Sequence, residues 1–267
     1  MKISNYHKAT SLQDAYEVLT ESRNHAIIAG GGWLKLSSRT VEKAVDLSDL
    51  PLDYVNETEN AVEIGSMTPL QKIGESESVK SLCKGMLTQA VAQIMGVSLR
   101  NLVTIGGSVV GKFGFSDVLT PLLAMEAKLV FYKQGEITLT EFMAQRGRTD
   151  DVLEKIVLPK TKGTGYFKKV AKTPLDFSIL NLAVAVSDGH YKIVVGSRPS
   201  VATLCEEAMD YVNGKKTLSD DDVEKAATLV CENVKFGQNP RASEEYRKEL
   251  AYVYTKRGLK EVRDCES

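Results

Sequence analysis

The chain has 267 residues, 43% hydrophobic and 26% charged, with a formal net charge of -1. That composition supports a folded core. Without a basic block, it excludes a nucleic-acid groove or an anionic membrane surface as the main partner. The opening Met1-Lys2-Ile3-Ser4-Asn5-Tyr6 lacks an apolar core of signal-peptide length, and no later segment approaches a membrane span, so a cytoplasmic location is expected.

In chain order, Ser11 heads an amphipathic helix, with Asp14 placed for a capping box and Leu12, Ala15, Val18 and Leu19 at helical spacing. A strand over 25–29 leads into a glycine turn, and a short strand around Val45-Asp46-Leu47 closes a βαβ-type unit. Alternation over 61–65 predicts a strand, and Pro69 fits a first helical turn. Residues 78–95 read as one long helix, and 101–105 as the approach to a second glycine turn. A helix over 119–127 and strands over 128–132 and 153–158 follow, the last stopped by Pro159.

The Lys160-Thr161-Lys162-Gly163-Thr164-Gly165 stretch marks a domain boundary. Beyond it, 166–171, 176–187 and 191–197 predict an antiparallel sheet, with Asp188-Gly189 turning the last hairpin. The remainder is helical, over 201–212, 219–234 and 242–260. The expected fold is α+β: residues 1–160 in two lobes (1–52 and 53–160), then a sheet-and-helix domain over 161–267.

Cys83, Cys205, Cys231 and Cys265 contain no C-x-x-C pair, so they read as free thiols in a reducing compartment. His7, His25 and His190 are dispersed, and no metal site or catalytic triad is expected.

The chemistry concentrates in two glycine motifs. The first is Ile27-Ile28-Ala29-Gly30-Gly31-Gly32-Trp33-Leu34. The second is Thr104-Ile105-Gly106-Gly107-Ser108-Val109-Val110-Gly111, with Asp117 beyond it. Glycine removes the Cβ, so successive N–H groups can converge on an anion. Two such turns and a carboxylate fit a ligand with two phosphates and a ribose, a dinucleotide. Gly106-x-x-x-x-Gly111-Lys112 resembles a P-loop, but Phe113 stands where a Ser or Thr would ligand Mg²⁺. The first motif also lacks the third glycine of a Rossmann fingerprint.

Taken together, these segments resemble the FAD-binding subunit of the molybdenum hydroxylases, the xanthine dehydrogenase and carbon monoxide dehydrogenase family. The likeness is nearest to bacterial xanthine-dehydrogenase-like FAD subunits. It rests on residues 27–34, on Arg100-Asn101-Leu102-Val103-Thr104-Ile105-Gly106-Gly107-Ser108, and on Leu153-Glu154-Lys155-Ile156-Val157-Leu158-Pro159. Tyr166-Phe167-Lys168-Lys169-Val170 and Ser243-Glu244-Glu245-Tyr246-Arg247 complete it. Departures are Gly32-Trp33 for the family's Thr-Asp, Ser108 for its Asn, Lys112-Phe113-Gly114-Phe115 after the second loop, and Lys172-Thr173 for a basic pair.

The resemblance implies a two-lobed FAD-binding domain of the vanillyl-alcohol-oxidase-like (PCMH) type, followed by an antiparallel sheet with a helix bundle. It implies that N–H groups of Gly30, Gly31, Gly32, Gly106, Gly107 and Ser108 cradle the FAD pyrophosphate, with Thr104 adding a hydroxyl and Gly111 ending the loop. Asp117 is implied to accept from sugar or ribityl hydroxyls, Ile94 and Leu153 to pack on the cofactor, and Lys169, or alternatively Lys168, to lie near the ring. Plainer alternatives are a helix cap for Asp117, a solvated edge-strand lysine for Lys169, core packing for Ile94 and Leu153, and lobe filling for Trp33.

The implied function is electron transfer from iron–sulfur clusters of a small partner subunit through FAD to NAD⁺. A large partner subunit would hold molybdopterin, and no side chain of this chain acts as a catalytic acid or base. Alternatives are a quinone, ferredoxin or oxygen as acceptor, or a flavin-free structural subunit.

Overall fold

The computed structural model describes residues 1–266, the side chains of residues 36 and 266 excepted. The strands are β1 (Lys2–Lys8), β2 (His25–Ile28), β3 (Thr40–Asp46), β4 (Val55–Glu57), β5 (Ala61–Gly65) and β6 (Lys128–Phe131). β7 (Gly135–Thr138), β8 (Leu153–Pro159), β9 (Gly163–Val170), β10 (Leu180–Ser187), β11 (His190–Gly196) and β12 (Thr203–Leu204) follow. The helices are α1 (Leu12–Glu21), α2 (Leu70–Gly74), α3 (Glu77–Lys80), α4 (Met86–Ala92), α5 (Val97–Leu102) and α6 (Ile105–Val110). After them come α7 (Leu119–Ala124), α8 (Leu139–Ala144), α9 (Glu206–Asn213), α10 (Asp220–Asn233) and α11 (Glu244–Glu266).

Two compact units share the chain. The first comprises residues 1–73, 96–111 and 127–159; the second comprises 74–95, 112–126 and 160–267.

In the first unit, β1, β3 and β2 form a parallel sheet in that order. Parallel strands need crossovers: α1 carries the chain from β1 to β2, and the loop with the 3₁₀ turn over Leu34–Leu36 carries it from β2 to β3. Ser11 caps α1 by accepting from the Asp14 N–H. Asp14 does not return the bond to Ser11; its carboxylate takes the Thr10 N–H and the His7 ring instead. Ala15, Val18 and Leu19 bury one helical face against Val45, Leu47 and Leu50. β1 is exposed along nearly its whole length, which is why its sequence shows no strand signal. A second, antiparallel sheet runs β4-β5-β8-β6-β7, with β8 central.

In the second unit, β12-β11-β10-β9 form an antiparallel sheet. Every residue of β10 is buried, so this strand reads as an apolar run rather than an alternation. Leu180, Leu182, Val184 and Val186 pack against Val223, Ala226 and Val230 of α10 and Ala251 and Leu259 of α11. Asp188 and Gly189 both have positive φ, as a two-residue I′ hairpin turn requires.

The expected helix over 78–95 is broken. Cys83, Lys84 and Gly85 adopt left-handed φ values of 45°, 55° and 70°, separating α3 from α4. Strand β9 passes this kink closely, since a Cβ on Gly165 would lie 3.0 Å from the Cys83 carbonyl oxygen. Two other expected elements are shorter: the strand over 176–187 begins at Leu180, and the helix over 201–212 begins at Glu206 after the short β12.

Candidate functional site

The first unit brings both glycine motifs into backbone contact. A Cβ on Gly30 would lie 1.4 Å from the Leu102 oxygen, and one on Gly32 would lie 2.5 Å from a Val103 methyl. Gly31 has φ +63°, a conformation open to glycine but strained for other residues. Glycine at 30 and 32 is therefore required by the approach of residues 102–103, and at 31 by the turn itself.

The second motif differs from the expected strand-end turn. Residues 97–102 are helical, and Gly106 to Ser108 form the first turn of α6, capped by Thr104. Ile105 and Val109, one helical turn apart in α6, are buried on one face, which favours the helix. The segment is tied down by Ile105 N–H to Thr68 O (3.0 Å) and Gly106 N–H to Ser66 O (2.9 Å). A Cβ on Gly106 would fall 2.6 Å from that same Ser66 oxygen.

The hydrogen-bond census separates the two motifs. Gly106, Gly107 and Ser108 donate to Ser66 O, Thr104 Oγ1 and Thr104 O, so all three N–H groups have protein acceptors. Gly30, Gly31 and Gly32 N–H groups have none among the described residues. The Thr104 hydroxyl accepts from Gly107, but its own proton meets no acceptor among them. Ser66 Oγ is buried without a partner among the described residues. The three glycine N–H groups and the Thr104 hydroxyl proton are thus available to an acceptor. This donor set fits the pyrophosphate of FAD, which offers acceptors alone.

Of the remaining first-unit candidates, Ile27 and Ile28 end β2 and Ala29 continues into the loop. Trp33 and Leu34 stand at the start of a 3₁₀ turn over Leu34–Leu36, and Gly111 caps the C-terminus of α6. Leu153 is buried at the start of β8, beside Glu154, whose carbonyl accepts from Ser66 N–H at 2.9 Å. Burial raises the Glu154 carboxyl above its usual range.

In the second unit, Asp117 and Lys169 meet. Their buried side chains pair at 3.1 Å, and Lys169 Nζ also donates to Gln93 O at 2.9 Å. Ile94, the next residue, is buried. Asp117 Oδ1 accepts from Ser178 Oγ and from Asn181 Nδ2. Thr120 Oγ1 donates to Asn181 Oδ1 at 2.7 Å. Asp117 is not the cap of α7: Ser116 Oγ accepts from Val118 and Leu119 N–H. Lys169 is likewise not a solvated edge lysine, being 9% exposed, whereas Lys168 lies over the Tyr254 ring. Sequence reading missed Ser66, Ser178 and Asn181. A polar Asn inside the apolar run of β10 was the available signal, because a buried amide must find partners.

Among the described residues no group of His, Cys, Asp and Glu side chains is placed to hold a metal. Burial pushes the Cys205 thiol far up and that of Cys231 up to about 11. Among the described residues, no helix is long and apolar enough to cross a membrane.

Comparison with known proteins accords with this geometry. Residues 1–161 match the model of the FAD binding domain in molybdopterin dehydrogenase, and residues 165–262 match the CO dehydrogenase flavoprotein C-terminal domain. The glyceraldehyde dehydrogenase medium chain of Sulfolobus acidocaldarius is 28% identical over 96% of this chain and 97% of that one. The xanthine dehydrogenase FAD-binding subunit of Escherichia coli O157:H7 is 23% identical over 97% and 96%. The fold matches a chain of carbon monoxide dehydrogenase from Hydrogenophaga pseudoflava with TM-score 0.88, at 24% identity over 98% of this chain and 97% of that one. The chain belongs to the FAD-binding subunits of the molybdenum hydroxylases, a family of oxidoreductases.

Proposed function

We propose that this chain carries FAD as the electron-transfer subunit of a cytoplasmic molybdenum-containing hydroxylase. It takes electrons from iron–sulfur clusters of a small partner subunit and passes them to NAD⁺. The observation that carries the reading is the run of three glycine N–H groups without a protein acceptor among the described residues, with the Thr104 hydroxyl, within the region matched by the FAD-binding domain.

Gly30, Gly31 and Gly32 hold the pyrophosphate through their N–H groups, and Thr104 donates its hydroxyl proton to it. Gly106, Gly107 and Ser108 shape the wall, their own N–H groups being committed to residues 66 and 104. Ile27, Ile28, Ala29, Trp33, Leu34 and Gly111 complete the two loops. FAD, when bound, supplies the redox chemistry, since a flavin exchanges electrons singly or in pairs. The contributions of Ile94, Asp117, Leu153 and Lys169 to cofactor contact rest on the family resemblance. Molybdopterin and the substrate site belong to a large partner subunit, so this chain's residues bind and orient the cofactor rather than act on substrate.

The test is the visible absorption of the purified chain after incubation with FAD and desalting. Retained flavin bands support the cradle, and their bleaching by NADH under anaerobic conditions supports NAD⁺ as acceptor. A colourless chain sinks the flavin-carrier reading of the isolated subunit and favours the structural role. Bands that NADH leaves unchanged overturn the NAD⁺ assignment alone.

A further inference from the structure

Lys84 and Cys265 stand 181 residues apart in sequence, yet their side chains meet within the second unit. Lys84 Nζ lies 2.6 Å from Cys265 Sγ and has no hydrogen-bond partner besides it among the described residues. Even an N–H···O bond spans about 2.9 Å, and sulfur is a larger atom than oxygen, so the contact is too close for a plain hydrogen bond. It matches a nitrogen and a sulfur that share one bonded oxygen at ordinary single-bond lengths and angle. Interaction with Cys265, and then the charge of Glu261 one turn before it on α11, raises the Lys84 amine above its usual range.

Two further observations set this pair apart. Lys84 has φ 55°, a left-handed conformation rare for a residue with a Cβ, in the kink between α3 and α4. Such strain persists only where the surroundings fix it. Gln89 Nε2 donates to the Lys84 carbonyl at 2.8 Å, so backbone and side chain are both held. Cys265 is also the exposed thiol of the chain: Cys83 and Cys205 are buried and Cys231 partly so, and burial raises the pKa of all three. An exposed sulfur beside a cationic side chain is the one an oxidant reaches first.

We propose that Lys84 and Cys265 are a redox modification site, joined by hydrogen peroxide through a nitrogen–oxygen–sulfur bridge. One peroxide takes two electrons from the Cys265 sulfur: its O–O bond breaks, an S–O bond forms, and the thiol becomes a sulfenic acid with release of water. The Lys84 ammonium gives a proton to solvent, and a second peroxide takes two electrons from its nitrogen as the N–O bond to the sulfenic oxygen forms. The O–O bond of that peroxide breaks, and the sulfenic proton and one amine proton leave in two waters. The bridge ties the last turn of α11 to the kink ahead of α4. It constrains the unfolded chain as a long-loop disulfide does, so oxidation makes the second unit harder to unfold. The site stands on the Lys84–Cys265 contact and does not depend on the flavin reading.

The test is incubation of the full chain with a small excess of hydrogen peroxide at about pH 9, where a fraction of lysine is free amine, read by peptide mass spectrometry. The expected product is one peptide pair joined through Lys84 and Cys265, with the mass of the separate peptides less two hydrogens and plus one oxygen. The joined chain is expected to melt at a higher temperature than the untreated one. Lys84→Arg keeps the charge without a nucleophilic amine; it is expected to lower the yield of the joined pair about tenfold or more and leave Cys265 as a sulfenic acid that dimedone traps. Peroxide added after unfolding in urea is the second arm, in which the pair should be lost. Joining at the same yield in urea or in Lys84→Arg overturns the proposal. So does Cys265 oxidised to sulfinic or sulfonic acid, or held in a disulfide, with Lys84 unmodified. A joined pair without the added oxygen overturns the oxygen bridge.

Discussion

Replacing Lys169 by methionine keeps most of the side-chain volume and removes the charge that faces Asp117. The carboxylate is 6% exposed and keeps only two neutral donors, Ser178 and Asn181. Removing one partner of a buried ion pair costs about 3–5 kcal/mol, because the remaining charge is left uncompensated. Asp117→Asn is expected to cost a similar amount, since Lys169 then keeps only the Gln93 carbonyl. The double variant strands no charge and is expected to cost about 2 kcal/mol or less, giving a coupling energy of several kcal/mol. In urea, with a slope of about 2 kcal/mol/M, each single variant should lower the midpoint of the second unit's transition by about 2 M. The assay is equilibrium urea unfolding of all four proteins by circular dichroism. Costs that add within about 0.5 kcal/mol would refute the buried pair and return Asp117 and Lys169 to independent roles.

Three further outcomes are expected. Gly106→Ala drives a methyl to 2.6 Å from the Ser66 oxygen, so it should cost roughly 1–3 kcal/mol by thermal melting and abolish flavin retention after desalting. Arg247→Lys keeps the charge but cannot fork to four acceptors; a loss of about 3 kcal/mol or more is expected by chemical denaturation. Asp222 closes the capping box of α10, accepting from the N–H of the N-cap Ser219, and its carboxyl is held well below the usual range, chiefly by Ser219 and then by Lys215 and Tyr211. A depressed folded-state pKa stabilises above the unfolded value of about 4 and loses that contribution as pH falls through the folded value. Asp222→Asn should therefore lower the melting temperature at pH 7, and the gap to the parent should narrow steadily below about pH 4. A gap independent of pH would show that the carboxylate's charge is not involved.

Local rules made much of the chain legible. Ser11 before Leu12, the start of the helix at Ser219 and the Asp188-Gly189 turn act within a few residues, so their structures follow from composition and spacing. The order of family motifs, from residues 27–34 to Ser243-Glu244-Glu245-Tyr246-Arg247, likewise identified the family without any coordinates.

What the residues could not declare are relationships between distant segments. Periodicity over 78–95 promises one helix, yet the close passage of Gly165 accompanies a left-handed kink at 83–85. Glycines at 30, 32 and 106 are legible in sequence as loop residues, but that Leu102, Val103 and Ser66 demand their lack of a side chain is not. Asp117 and Lys169 each had a solitary role until folding placed them 3.1 Å apart. Sequence determined the capped helices, the hairpin turn and the family because helix caps, turns and motifs are encoded by near neighbours. Tertiary structure decided which donors remain unused and which charges pair, because both depend on atoms brought together from far along the chain.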